Sequence, residues 1–109
     1  MKIYYHATDS DNLSSILDNG LKVGCDGVVY MTEKEDDAVK FVMFRGCKKI
    51  VVLKIKVYKR DEKNVVETFD HSPRFFKCRA FGYMGNIDKS NIEPVSIWDN
   101  PLYVNNQTS

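Results

Sequence analysis

The sequence predicts an α+β domain rich in antiparallel pairing, with two main helices. Three observations carry this reading. Apolar alternation and helical stripes succeed one another in the order β-α-β-α-β-β-β-β, which suits antiparallel strands with a few packed helices. The chain has 109 residues, 43% of them apolar and 28% charged, the balance of a soluble globular domain with one core. Finally, no internal repeat, low-complexity tract or linker divides it. Residues 1–99 therefore read as a single domain and 100–109 as a polar C-terminal tail that frays.

Each element has a local cause. Residues 2–7, "KIYYHA", alternate as a half-buried strand, with Ile3, Tyr5 and Ala7 on one face and Lys2, Tyr4 and His6 on the other. Asp9, Ser10 or Asp11 can cap the helix that follows, and Leu13, Ile16 and Leu17 form its apolar stripe. Gly20 suits the left-handed position that ends a helix, and Leu21 folds back over the last turn. Val28 to Thr32 reads as a second strand, with Val28, Tyr30 and Thr32 sharing a face. Thr32 followed by Glu35 predicts a capping box, and Asp36 and Asp37 place favourable charge in the first turn. Ala38, Phe41 and Val42 supply the buried stripe of this helix, and Gly46 after Arg45 closes it.

"KIVVLKIKVY", residues 49–58, is the strongest strand, with Lys54 and Lys56 alternating between Val51, Leu53, Ile55 and Val57. "VVETF" predicts a short strand after a polar turn, and "DHSP" a loop, because Pro73 disfavours helical geometry at Ser72. "FFKCRAFGYM" and "IEPVSIW" complete the set, Pro94 placing the last strand at an edge or start.

Composition narrows the function classes. No apolar run approaches the length of about 20 residues that spans a membrane, and the strand-like start predicts no signal peptide. Cys25, Cys47 and Cys78 are odd in number and widely spaced, which argues against a disulfide framework or a zinc site and for a reducing cytoplasm. Net charge is +1, but the charges are sorted along the chain. Eight acids lie between Asp9 and Asp37, and eight basic residues between Arg45 and Lys63. Such a basic segment reads either as a solvated strand face or as contact with nucleic acid.

A resemblance sharpens the picture. "YHAT", "NLSSILDNGL", "VYMT" and "AVKF" are similar, in order and spacing, to the opening motifs of the ADP-ribosyltransferase superfamily. That superfamily includes poly(ADP-ribose) polymerase-like enzymes, DarT-like DNA-modifying toxins and the tRNA 2′-phosphotransferases. The stronger likeness covers residues 3–44, and "YMGNIDKSNI" resembles the family's final strand and turn. It implies a compact fold in which two small, mostly antiparallel sheets form a cleft. It also implies NAD as substrate, with no metal, and transfer of ADP-ribose to a macromolecular acceptor, protein or nucleic acid.

The same resemblance assigns roles. His6 would hydrogen-bond a hydroxyl of the adenosine-side ribose, the backbone of Ala7 would bind the nicotinamide amide, and Thr8 would support that turn. Tyr30 would stack on the nicotinamide ring. His6 and Tyr30 each have a plain structural reading as well, as a strand histidine and a core aromatic. Many family members carry a glutamate on the late strand, expected here near Cys78, Arg79 or Ala80, none of them acidic. Glu67 is the candidate substitute, facing solvent or the cleft if Val66 faces the core.

Two other readings stay open. Arg74, Lys77 and Arg79 suit the anion contacts of an RNA 2′-phosphotransferase-like enzyme, since guanidinium groups grip phosphate well. A non-catalytic binding or inhibitor protein on the same scaffold would need no glutamate at all.

Overall fold

The computed structural model describes residues 1–23, 27–68 and 80–100. In chain order these form β1 (Lys2–Asp9), α1 (Leu13–Asn19), β2 (Val28–Thr32), α2 (Glu35–Lys40), β3 (Lys49–Val57), β4 (Val65–Thr68), β5 (Ala80–Met84) and β6 (Ile92–Asp99). The predicted order of elements is therefore the observed one. The predicted strand over residues 75–84 is seen from Ala80 onward, and its earlier part lies outside the described residues. So do the "DHSP" loop and residues 101–109.

Where the resemblance implies two small sheets, the described strands form one antiparallel sheet in the order β4-β5-β2-β1-β3-β6. The reason lies in a single junction. β1 pairs with β3 along its whole length, from Lys2 opposite Val57 to Asp9 opposite Ile50. β2 pairs just as fully with β5. Between β1 and β2 there is one register pair, Tyr5 opposite Thr32. The two halves are thus one sheet by hydrogen bonding, joined at a point.

β3 is the keel. Ile50, Val51, Val52, Leu53 and Ile55 are all fully buried, which is why the strand begins as a continuous apolar run rather than an alternating one. On one face Val51, Leu53, Ile55 and Val57 join Tyr4, Ile16, Leu21, Met31 and Phe81. The rings of Tyr4 and Phe81 meet there at 5.2 Å with a tilt of 56°. On the other face Ile50 and Val52 pack with Ala7 beneath Ala38, Val39 and Val42. β1 is consequently buried on both faces at different points, Tyr4 in the first core and Ala7 in the second.

Several local expectations change. Asp9 caps a 3₁₀ turn, Ser10–Asn12, by accepting from the Asp11 amide at 3.0 Å, and α1 starts only at Leu13. Ile16 is buried but Leu17 is 44% exposed, because a helix of seven residues presents only a narrow stripe to the sheet. The capping box does not form. Thr32 is still in β2 and fully buried, and its hydroxyl donates to the Lys34 carbonyl at 2.6 Å. Lys34 is the N-cap instead. α2 is shorter than its stripe implies, since the amides of Phe41 and Val42 reach back only three residues, to Ala38 and Val39, and tighten the last turn. A 3₁₀ turn, Met43–Arg45, follows before Gly46. β6 lies at a sheet edge, Pro94 opposite Leu53, as its proline requires. Asn100, the first residue of the predicted tail, is buried. No helix among the described residues is long and apolar enough to cross a membrane.

Two glycines separate backbone conformation from packing. Gly20 and Gly46 both have positive φ, 79° and 81°. A Cβ on Gly20 would collide with the Ile87 carbonyl oxygen, whereas one on Gly46 would meet nothing within 4 Å. The Gly20 site is closed by paired hydrogen bonds of 2.9 Å between Leu21 and Ile87, so the oxygen cannot retreat cheaply. Gly46→Ala is expected to cost about 1 kcal/mol, the ordinary penalty of left-handed backbone. Gly20→Ala is expected to cost more than about 2 kcal/mol, because strain and overlap act together. Urea unfolding with an unchanged slope measures both. Equal losses would show that the Leu21–Ile87 contact yields freely.

Candidate active site

The cleft begins where β1 and β2 part. Beyond the Tyr5–Thr32 pair, His6 and Ala7 have no ladder partner on β2. There the carbonyl of Tyr30 meets a side chain of β1. His6 Nδ1 lies 2.7 Å from the Tyr30 oxygen. A carbonyl can only accept, so Nδ1 carries the proton. In the neutral ring Nε2 then keeps its lone pair and is an acceptor. Burial holds the imidazole below its ordinary value of 6.5; the bond to Tyr30 opposes this, and the Arg45 charge adds to the lowering. His6 is therefore neutral at pH 7 with a fixed tautomer.

Around this bond lies an open cleft of about 200 Å³. Tyr5, His6 and Ala7 of β1 line one side and Tyr30 of β2 another, with Phe41 and Arg45 contributed by the end of α2 and the turn after it. Lys22 is also at its wall. No Asp or Glu among the described residues lines it.

The residues proposed from sequence fall into four groups. His6, Ala7 and Tyr30 come together at the cleft. Thr8 lies one step beyond it, its hydroxyl accepting from the Asn12 side chain at 3.1 Å and tying the strand end to the following turn. Glu67 stands apart. It pairs in register with Phe81, which pairs with Met31, so it falls on the sheet face opposite Tyr30. A cleft-facing Glu67 requires Val66 to face the core, but Val66 is 40% exposed and Val65 packs inward. Ala80 is buried opposite Thr32. Arg74, Lys77, Cys78 and Arg79 lie outside the described residues.

Sequence reasoning missed Phe41 and Arg45 as cleft residues, treating one as core and the other as a helix end. The early tightening of α2 turns both toward the cleft, and no local motif signals that. No family model matches the chain, and no curated protein matches it.

His6 gives this site a pH signature. A histidine whose folded pKa lies below its unfolded one favours folding where both states are neutral, and that stability is lost as pH falls below about 6.5 toward the folded pKa. His6→Asn keeps a donor near Nδ1 but cannot titrate. Wild type is expected to lose stability relative to His6→Asn as pH falls below 6.5, with a slope of up to about 1.4 kcal/mol for each step of one in pH. Parallel stability curves from urea titrations would mean that His6 titrates as it does in the unfolded chain.

Proposed function

We propose that this domain binds NAD in the cleft and transfers its ADP-ribose to a macromolecular acceptor. One observation carries the reading. His6 and Tyr30, from motifs 24 residues apart, flank the same opening where the two halves of the sheet part. The halves β4-β5-β2 and β1-β3-β6, joined at one pair, play the part of the two small sheets of an ADP-ribosyltransferase-like fold.

The chemistry follows from the groups at hand. Tyr30 offers a flat face on which the nicotinamide ring stacks without blocking its exit. The neutral His6 ring offers Nε2 as acceptor to a ribose hydroxyl, and the backbone of Ala7, free of β2 pairing, offers hydrogen bonds to the carboxamide. The bond between ribose C1′ and the cationic nicotinamide nitrogen breaks, the nitrogen takes the electron pair, and nicotinamide leaves neutral. A nucleophilic atom of the acceptor gives its electron pair to C1′ and releases its proton to solvent. The protein's task is to hold the dinucleotide in a strained, oriented pose while positive charge grows on the sugar.

A second reading, a nucleotide-binding domain without transferase activity, is favoured by the position of Glu67 on the other face. Both readings meet in one assay, nicotinamide release from NAD by the full chain, alone and with cell extract as the source of acceptor. Release that needs extract and is lost in His6→Ala is the expected result. Tyr30→Ala is expected to weaken NAD binding about tenfold, and Glu67→Gln to leave release within about twofold. Saturable NAD binding without release selects the second reading. Neither binding nor release would overturn both.

A further inference from the structure

Arg45 is built into the cleft more firmly than an exposed arginine needs to be. It ends the 3₁₀ turn Met43–Arg45, and its amide donates to the Val42 carbonyl at 3.0 Å. Asn100, from beyond the last strand, crosses to this turn and is buried against it. Its side-chain amide donates to the Met43 carbonyl at 2.9 Å and to the Cys47 carbonyl at 2.8 Å, one on each side of Arg45. Its backbone amide donates to the Lys48 carbonyl at 3.0 Å. A buried amide with both donors engaged resists displacement, since moving it strands polar groups away from water. The turn that carries Arg45 is thus clamped at both ends.

What the clamp presents is a cation. Arg45 makes no ion pair with any described residue, and it lines a cleft whose other charged wall residue is Lys22. The same cleft offers Tyr30 and Phe41 to a flat ring. A planar guanidinium matches the oxygens of a phosphate two at a time, which a point charge does not.

We infer that Arg45, positioned by Asn100, is the anion anchor of the cleft and takes the diphosphate of a nucleotide ligand; this rests on the reading of the cleft as a dinucleotide site.

Calorimetric titration of the full chain with adenosine, ADP, ADP-ribose and a single-stranded oligothymidylate tests this at two salt concentrations. ADP is expected to bind wild type at least about tenfold more tightly than adenosine, the advantage shrinking in high salt. Arg45→Gln is expected to weaken ADP roughly ten- to a hundredfold and leave adenosine unchanged. Arg45→Lys, which keeps charge but not the fork, is expected to fall between. Asn100→Ala is expected to weaken ADP in wild type and to have no further effect in the Arg45→Gln background, a non-additivity that a purely structural role would not produce. If Asn100→Ala does not fold, the two Arg45 variants carry the test.

An ADP preference that survives Arg45→Gln overturns the anchor and leaves the NAD reading standing. An Arg45-dependent ADP preference without nicotinamide release upholds the anchor while the transferase reading fails. Binding of the oligothymidylate through Arg45 with no ADP bound overturns the diphosphate assignment. No binding of any probe overturns it together with the NAD reading.

Discussion

A β-sheet can open only where the hydrogen bonds it gives up are made elsewhere. Here the bond from His6 Nδ1 to the Tyr30 carbonyl meets that requirement at 2.7 Å. A side chain of one strand bonds the backbone of its neighbour where the ladder between them ends, so the strands part while still tied together. The same bond fixes which imidazole nitrogen is protonated, leaves the other as an acceptor, and anchors the backbone that carries the Tyr30 ring. Strand separation, tautomer and aromatic position are therefore one constraint.

The remainder of the fold makes that opening tolerable. β1 gives up most of its pairing with β2 but keeps all of it with β3, the most deeply buried strand described. Apolar packing on both faces of β3 supplies cohesion that does not pass through the junction. Tyr4 and Phe81, from strands on opposite sides of β2, touch across one face of the sheet and hold the halves together there. On the other face α2 bridges β1, β2 and β3. The cleft is the gap left between these two ties, and the end of α2 forms part of its wall.

Most of this scaffold was legible in the sequence because it is written in local periodicity. The alternation in "KIVVLKIKVY" and the stripe of "NLSSILDNGL" specify strand and helix without reference to any partner. Three other features depend on partners. Whether β1 and β2 make one sheet or two rests on a single pair, Tyr5 with Thr32, between segments with no distinguishing pattern. The face of Glu67, two strands from Tyr30, follows from its register with Phe81, and a one-residue choice between Val65 and Val66 inverts it. Thr32 looks like a helix cap by spacing alone, yet tertiary burial commits it to the strand. His6 and Tyr30 were legible as a pair only because their motifs were read together. Arg45 and Asn100, far apart in the chain, share no motif.

Charge is where the two proposals meet. In the proposed reaction positive charge grows on the ribose, and a cleft with Arg45 and Lys22 at its wall and no described carboxylate opposes that growth. The opposition disappears if the guanidinium is already matched by the diphosphate of the bound dinucleotide, since the local charge then sums to near zero or below. The diphosphate in this scheme is not a passive handle, because it removes the field that would otherwise raise the barrier. A ligand lacking it would meet an electropositive site, able to hold a ring but hostile to a carbocation. The same neutral His6 fits that balance. A protonated imidazole would add a further cation beside the sugar, and burial, with Arg45, keeps it uncharged.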